Sequence, residues 1–98
     1  MDTQKDNTMT DVEKAIKTAE RIGNAVLKKF PKHQLFVRRI QTGDNGYIEI
    51  SLRPDGGSYN QEITTAYSDE FFATATPENI QDKGKRILSD FRKNFGLE

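Results

Sequence analysis

Residues 47–53 (YIEISLR) alternate between apolar and polar side chains at every position, and no other stretch of the sequence constrains the fold as strongly. Alternate side chains of a β-strand point to opposite faces, so this segment has one face to bury and one to solvate. The inward-facing side chains are Ile48, Ile50 and Leu52. The pattern therefore predicts a half-buried strand.

Turn-forming residues flank this strand on both sides. The sequence DNG at 44–46 predicts a tight connection to a strand at 34–41 (QLFVRRIQ). The sequence PDGG at 54–57 predicts a turn into a further strand at 59–67. Three consecutive strands joined in this way predict an antiparallel meander.

The alternation also predicts how the second hairpin pairs. A loop of two or four residues places Leu52 opposite Tyr59, and it keeps the apolar faces of both strands together. The same register places Glu49 opposite Glu62 on the outer face. Directly opposed like charges destabilise a sheet, so we expect an arginine of the first strand or a cation of a partner to neutralise them.

Helical periodicity appears before and after the strands. Residues 10–13 (TDVE) predict a capping box at the start of the first helix, and Pro31 is expected to end it. In the second helix, Thr76 is the predicted N-cap and Pro77 the predicted first residue. Gly96 is the predicted left-handed cap at its C-terminal end. The apolar faces are Val12, Ile16, Ala19, Gly23, Val26 and Phe30 in the first helix, and Ile80, Gly84, Ile87, Phe91 and Phe95 in the second.

Each helix has a glycine within its apolar face, Gly23 in the first and Gly84 in the second. Glycine costs about 1 kcal/mol in a helix interior, so its presence there needs a reason. Close packing against a bulky neighbour is the expected reason, and a hinge or ligand contact is the alternative.

The fold class predicted from these elements is α+β, in the order α-β-β-β-α. Both helices are expected to pack on one face of the meander. Residues 68–75 (SDEFFATA) are either a short capped helical turn or a fourth strand. A single domain is expected at residues 10–96, and residues 1–9 are expected to be a disordered tail. The last two residues, 97 and 98, are a candidate cloning remnant.

The strand at 34–41 does not follow the usual half-buried pattern. One face bears Leu35, Val37 and Arg39, and the other bears Phe36, Arg38 and Ile40, so neither face is purely polar. Either Phe71, Phe72 or the N-terminal tail covers the exposed face, or that face binds a partner.

The leading functional hypothesis is a small non-catalytic protein-binding or accessory module, including self-association through the open sheet face or the edge strand. Apolar anchors beside arginine are typical of interface cores. Reversing both arginines at 38 and 39 to glutamate is expected to leave the fold intact and to abolish partner capture. The predicted partner-binding residues are Phe36, Arg38, Arg39, Ile40, Glu49, Arg53 and Glu62.

Charge is segregated along the chain although the net charge is +0. Residues 21–43 hold six basic side chains and no acid, whereas residues 44–82 hold eight acids and one arginine. Such blocks could orient a charged partner, and they support nucleic-acid binding as the alternative function. The residues predicted for that function are Lys28, Lys32, Lys83, Lys85 and Arg86.

The α-β-β-β-α order resembles, in topology, the double-stranded-RNA-binding domain. In that family, basic residues that open the last helix straddle phosphates, which here implies a role for Lys83, Lys85 and Arg86. The helix begins differently, with the sequence PEN at 77–79 and with Asp82 before the first lysine.

The remaining observations exclude several classes of site. There is no cysteine, so disulfides and thiolate zinc sites are impossible, and the one histidine, His33, has no partner for a catalytic triad. No phosphate-binding or dinucleotide-binding motif is present. We therefore expect no enzyme activity, no cofactor, no metal and no small-molecule substrate. Without a signal segment or an apolar run of about 18 residues, a cytoplasmic protein without membrane contact is expected.

Overall fold

A computed structural model describes residues 10–96 of the chain, so the predicted N-terminal tail and the last two residues lie outside the described part. The strands form one antiparallel sheet in the order β1-β2-β3, which confirms the α-β-β-β-α prediction with three strands. The helices are α1 (Asp11–Leu27), α2 (Asp69–Ala73) and α3 (Ile80–Asn94). The strands are β1 (His33–Thr42), β2 (Asn45–Pro54) and β3 (Ile63–Ser68), and a 3₁₀ turn covers Tyr59–Gln61.

The start of α1 confirms the predicted capping box. The Thr10 hydroxyl accepts from the Glu13 amide at 3.1 Å, and the Glu13 carboxylate accepts from the Thr10 amide at 2.9 Å. The helix ends at Leu27, so the prediction that it continues to Pro31 was wrong. The chain tightens there into a turn in which the Phe30 amide donates to the Leu27 carbonyl, and Lys32 takes a positive φ of 72°. Phe30 is still buried, because the turn points it back into the core.

The start of α3 also differs from the prediction. The helix begins at Ile80, three residues after Pro77. The preceding residues form a reciprocal turn instead, in which the Thr76 amide donates to the Asn79 side chain at 2.8 Å and the Asn79 amide donates to the Thr76 hydroxyl at 3.2 Å. At the other end Gly96 has a φ of 75°, which confirms the predicted left-handed cap.

Residues 68–75 contain a helical turn, so the sheet has no fourth strand within residues 10–96. Ser68 caps α2 by accepting from the Phe71 amide at 3.1 Å. Phe72 points from this helix into the core and is fully buried. The turn therefore closes the end of the core between β3 and the helices.

The core lies between the sheet and a single layer of helices. The β2 side chains Ile48, Ile50 and Leu52 are fully buried, as predicted from their alternation. The rest of the buried apolar cluster comes from the three helices and the turn after α1: Ala15, Ala19, Ile22, Val26, Phe30, Phe72, Ile87 and Phe91.

The pairing of β2 with β3 corrects the predicted register. Leu52 lies opposite Ile63, four residues beyond Tyr59. Residues 59–61 form the 3₁₀ turn, which lengthens the connection between the strands. Glu49 consequently lies opposite Ala66, and the predicted contact between Glu49 and Glu62 does not form.

The two helix glycines have different surroundings. A Cβ atom at Gly23 would lie 3.1 Å from Leu35 Cδ1, which confirms close packing against a bulky sheet residue. A Cβ atom at Gly84 would lie 3.8 Å from Ile22 Cγ2, an ordinary contact distance, so tight packing does not explain this glycine.

Alanine substitution is therefore expected to change the free energy of unfolding differently at Gly84 and at Gly23. Gly84→Ala should raise the free energy of unfolding by about 0.5–1 kcal/mol, because alanine favours the helix and the methyl group has room. Gly23→Ala should show a smaller gain or a loss, because Leu35 has to move. Urea unfolding followed by circular dichroism measures both, and equal gains would contradict the packing difference.

Candidate functional site

The candidate site is the sheet face that points away from the helices, here called the open face. On β1, Leu35 and Val37 pack against the core, which places Phe36, Arg38 and Ile40 on the opposite side. The register extends this side across the sheet with Tyr47, Glu49, Ser51 and Arg53 of β2, Thr64 and Ala66 of β3, and Glu62 just before β3.

No helix within residues 10–96 covers the open face. Phe72 lies in the core, and Phe71 stacks on Tyr67 at a ring distance of 4.7 Å on the helical side. The interpretation that these phenylalanines cover the open face was therefore wrong. The other candidate cover, the N-terminal tail, lies outside the described residues.

The centre of the open face is an ion cluster in which one carboxylate binds two arginines. Arg38 donates through both terminal nitrogens to Glu62, at 3.2 and 3.1 Å. Arg53 donates to the same carboxylate from Nε at 3.0 Å. The Glu62 side chain is only 5% exposed, so its carboxylate is largely removed from water where it binds the two guanidinium groups.

An aromatic ring lies beside both arginines. The guanidinium carbons of Arg38 and Arg53 lie 5.0 and 4.4 Å from the centre of the Phe36 ring. Both distances are within the range of cation–π attraction. Phe36 and Glu62 therefore both contact the two guanidinium groups and restrict their positions on the open face.

The ion cluster lowers the pKa of its acid, Glu62, and raises the pKa of Arg38. The hydrogen bond from Arg38 is the main cause that lowers the pKa of Glu62, and the bond from Arg53 adds to it against the effect of burial. The pKa of Arg38 is raised, chiefly by its hydrogen bond to Glu62 and less by the charges of Glu62, Tyr59 and Glu49. Glu62 is thus held as an anion and Arg38 as a cation.

Tyr59 is a candidate contact residue that the sequence reasoning missed. The residue is 70% exposed, and among residues 10–96 it is the one large hydrophobic residue that is exposed. It lies three residues before Glu62 in the chain and contributes to the raised pKa of Arg38. The alternation of 59–67 suggested an inward-facing strand residue, and only the PDGG turn before it signalled a surface position.

Arg39, a predicted partner-binding residue, lies on the helical side of the sheet. Its Nη2 atom is 2.6 Å from Asp69 Oδ2, at the start of α2, and both side chains are about one-fifth exposed. The guanidinium group lies over Gly46, where a Cβ atom would come within 2.1 Å of Nη2. Arg39 therefore fastens α2 to the sheet and does not belong to the open face.

The five residues predicted for nucleic-acid binding do not form one surface. Phe30 contacts Phe91 and Phe95 while Gly84 faces Ile22, so α1 and α3 run in the same direction. Lys28 and Lys32 consequently lie near the end of α3, whereas the other three lie near its beginning. Among those three, Lys83 and Arg86 lie over the Phe71 ring, at 4.3 and 5.7 Å, and Lys85 lines a groove between α1 and α3.

The single histidine, His33, packs against two phenylalanine rings. The His33 ring meets Phe30 and Phe95 edge-on, with ring centres 6.2 and 5.4 Å away. Within residues 10–96 no three His, Asp or Glu side chains are grouped so that they could hold a metal ion. None of the helices in that range is long and apolar enough to cross a membrane.

Comparison of the chain with protein-family models, with curated proteins and with solved structures finds no significant match. The topological resemblance to the double-stranded-RNA-binding domain thus stays a likeness of element order. The surface chemistry described above is the basis for a functional proposal.

Proposed function

We propose that this protein is a non-catalytic protein-binding module that associates with a second copy of itself through the open face. The observation that carries this proposal is the group of aromatic and arginine side chains on a sheet face that no described element covers. Sheet faces without a covering layer are normally polar, whereas this one also bears Phe36, Ile40 and Tyr47.

The composition of the open face supports a protein partner. Tyrosine, phenylalanine and arginine are enriched in interface cores and dominate their binding energy, whereas lysine is depleted. The face contains Phe36, Tyr47 and two arginines, with Tyr59 beside them, and it has no lysine. The guanidinium groups are already held in place, so little side-chain freedom is lost on binding.

The charges of the open face favour a second copy of the chain. Symmetric dimers use the same patch twice, so the patch must complement itself. Arg38 retains 35% side-chain exposure, and Glu49 makes no hydrogen bond to another described side chain. Two acids and two arginines make the face neutral, and a cation of one copy can meet an acid of the other.

The area of the open face determines how strong the dimer is expected to be. Strands lie about 4.8 Å apart and rise about 3.3 Å per residue, so three strands of this length offer roughly 14 by 30 Å. This is about half of the 800 Å² that a stable interface buries on each partner. A weak, reversible dimer is therefore expected, with a Kd in the micromolar range.

Sedimentation velocity from about 5 to 500 μM, a range that brackets such a Kd, tests this proposal. The unmodified protein should show a sedimentation coefficient that rises with concentration. Ile40→Glu should stay monomeric throughout, because dimerisation would bury a carboxylate without a partner.

Asn24→Glu is the matched control, since it adds the same charge at an exposed position of α1 and should dimerise normally. A monomer at every concentration of the unmodified protein would overturn the proposal. Normal dimerisation of Ile40→Glu would show that the open face is not the interface. The outer edge of β1 would then be the remaining candidate for the interface.

A further inference from the structure

On the helical side of the domain, a groove of about 640 Å³ opens between α1 and α3. The buried side chains Ile22 and Val26 of α1 form its floor, together with the half-buried Ile80 and Leu88 of α3. Gly84 leaves one wall without a side chain. The apolar surface that stays open to solvent comes from Ile80, Leu88 and the exposed Ala25.

Three cations surround this apolar floor. Arg21 and Lys29 of α1 and Lys85 of α3 are all exposed, and the residues lining the groove include no acid. None of the three forms an ion pair with another side chain of residues 10–96. The three arginines at 38, 39 and 53, in contrast, are all paired with acids. The cations beside the groove can therefore contact the acids of a partner.

From these features we propose that the groove binds a short, acidic, amphipathic helix of a partner protein. Ile80 and Leu88 are eight residues apart, which is about 12 Å along a helix and matches two turns of a bound helix. Such a helix would place apolar side chains at spacings of three and four on the floor, and its flanking acids would meet the cations.

The shape of the site favours a helix over a lipid. The groove is open along its side and short, whereas an acyl chain needs a longer, enclosed apolar channel to be removed from water. The free cations stand on opposite walls, so they can contact acids on both flanks of one helix. This surface lies on the layer opposite the open face, so both can be occupied at once.

Fluorescence anisotropy with a labelled 14-residue peptide tests the proposal. The peptide has leucine at positions i, i+4 and i+7 and glutamate on both flanks of that stripe, and a second peptide has lysine in place of each glutamate. The unmodified protein should bind the acidic peptide and should bind the lysine peptide at least about tenfold more weakly, the scale of a charge mismatch across an interface.

Two kinds of variant locate the binding. Gly84→Leu fills the groove and should weaken binding of the acidic peptide about tenfold or more. The combined change Arg21→Glu, Lys29→Glu and Lys85→Glu should reverse the preference, so that the lysine peptide binds better. The matched control reverses Lys28, Lys32 and Lys93, three exposed cations outside the lining, and should leave the preference unchanged. Circular dichroism establishes whether each variant is folded. If Gly84→Leu does not fold, the charge-reversal variant alone decides the test.

The proposal is overturned if neither peptide binds, if the lysine peptide binds the unmodified protein equally well, or if the folded variants bind normally. Binding of palmitate or of phosphatidylglycerol vesicles without binding of the acidic peptide would also overturn it, in favour of a lipid. Ile40→Glu should bind the acidic peptide normally, so failure of this proposal and failure of dimerisation are distinguishable.

Discussion

The double variant Arg38→Glu with Arg39→Glu is expected to destabilise the domain, contrary to the sequence-based expectation that it would only abolish partner capture. The two arginines lie on opposite faces of the sheet, and each binds an acid from a distant part of the chain. Reversal replaces both attractions by contacts between like charges. Leaving one partly buried charge without its partner costs about 1–3 kcal/mol, and an opposing charge adds to this.

The loss at Arg38 lies at the lower end of this range, because this side chain is partly exposed. The total stability of a domain of this size is roughly 5–10 kcal/mol. Urea unfolding at pH 7 should therefore show a midpoint clearly below that of the unmodified protein. Loss of binding by this variant would have to be separated from its loss of stability before it could be assigned to the open face.

The matched control is Lys14→Glu with Lys17→Glu on the solvated side of α1, which changes the net charge equally and should cost less than about 1 kcal/mol. Exchange of the Arg39 pair, by Arg39→Asp with Asp69→Arg, should recover part of the stability that Arg39→Asp loses alone. A reversal variant of Arg38 and Arg39 that is as stable as the Lys14 and Lys17 control would show that these ion pairs do not hold the sheet and α2 in place.

Glu62→Gln is expected to lower the free energy of unfolding by about 1–3 kcal/mol at pH 7. The substitution keeps the size of the side chain but removes the charge that both arginines share. Glutamine also presents an NH₂ group where a carboxylate oxygen accepted from an arginine. Glu49→Gln, on the same face, removes an equal charge that accepts no hydrogen bond from another described side chain, and it should cost a few tenths of a kcal/mol.

The effect of Glu62→Gln should depend on pH in a defined direction. The pKa of Glu62 is lower in the folded protein than its ordinary value of 4.5, so the unfolded chain takes up a proton first as the pH falls. The stabilisation from the carboxylate is fully present above about pH 4.5 and is lost as the pH falls through the lowered pKa. The difference between Glu62→Gln and the unmodified protein should therefore narrow below pH 4.5, and a constant difference down to pH 2 would contradict the ion cluster.

The residues of the open face were predicted only in part from the sequence. It recognised that the strand at 34–41 has apolar and arginine side chains on both faces, and it named Phe36, Arg38, Arg53 and Glu62 as members of one surface. It could not place Arg39 on the other side as a tie to α2, because the α2 segment was itself undecided between helix and strand. It also missed Tyr59, since the alternating pattern assigned that residue to a strand.

The predictions made from local pattern were confirmed where the interacting groups lie close in sequence. The Thr10 and Glu13 box, the left-handed Gly96 and the buried alternation of β2 all depend on neighbours within a few residues. The register of β2 with β3 was wrong by four residues for a related reason. Shifts of two or four residues keep every side chain on the same face, so the alternation alone could not distinguish them.

What the sequence determined by itself is thus the set of elements, their order and the faces that must be buried. Only the tertiary structure decided which charges meet. The basic block and the acidic block appear separate along the chain, yet Arg38 binds Glu62 and Arg39 binds Asp69 across 24 and 30 residues. Pairing over such distances depends on register and on where α2 packs, and neither is a property of any local segment.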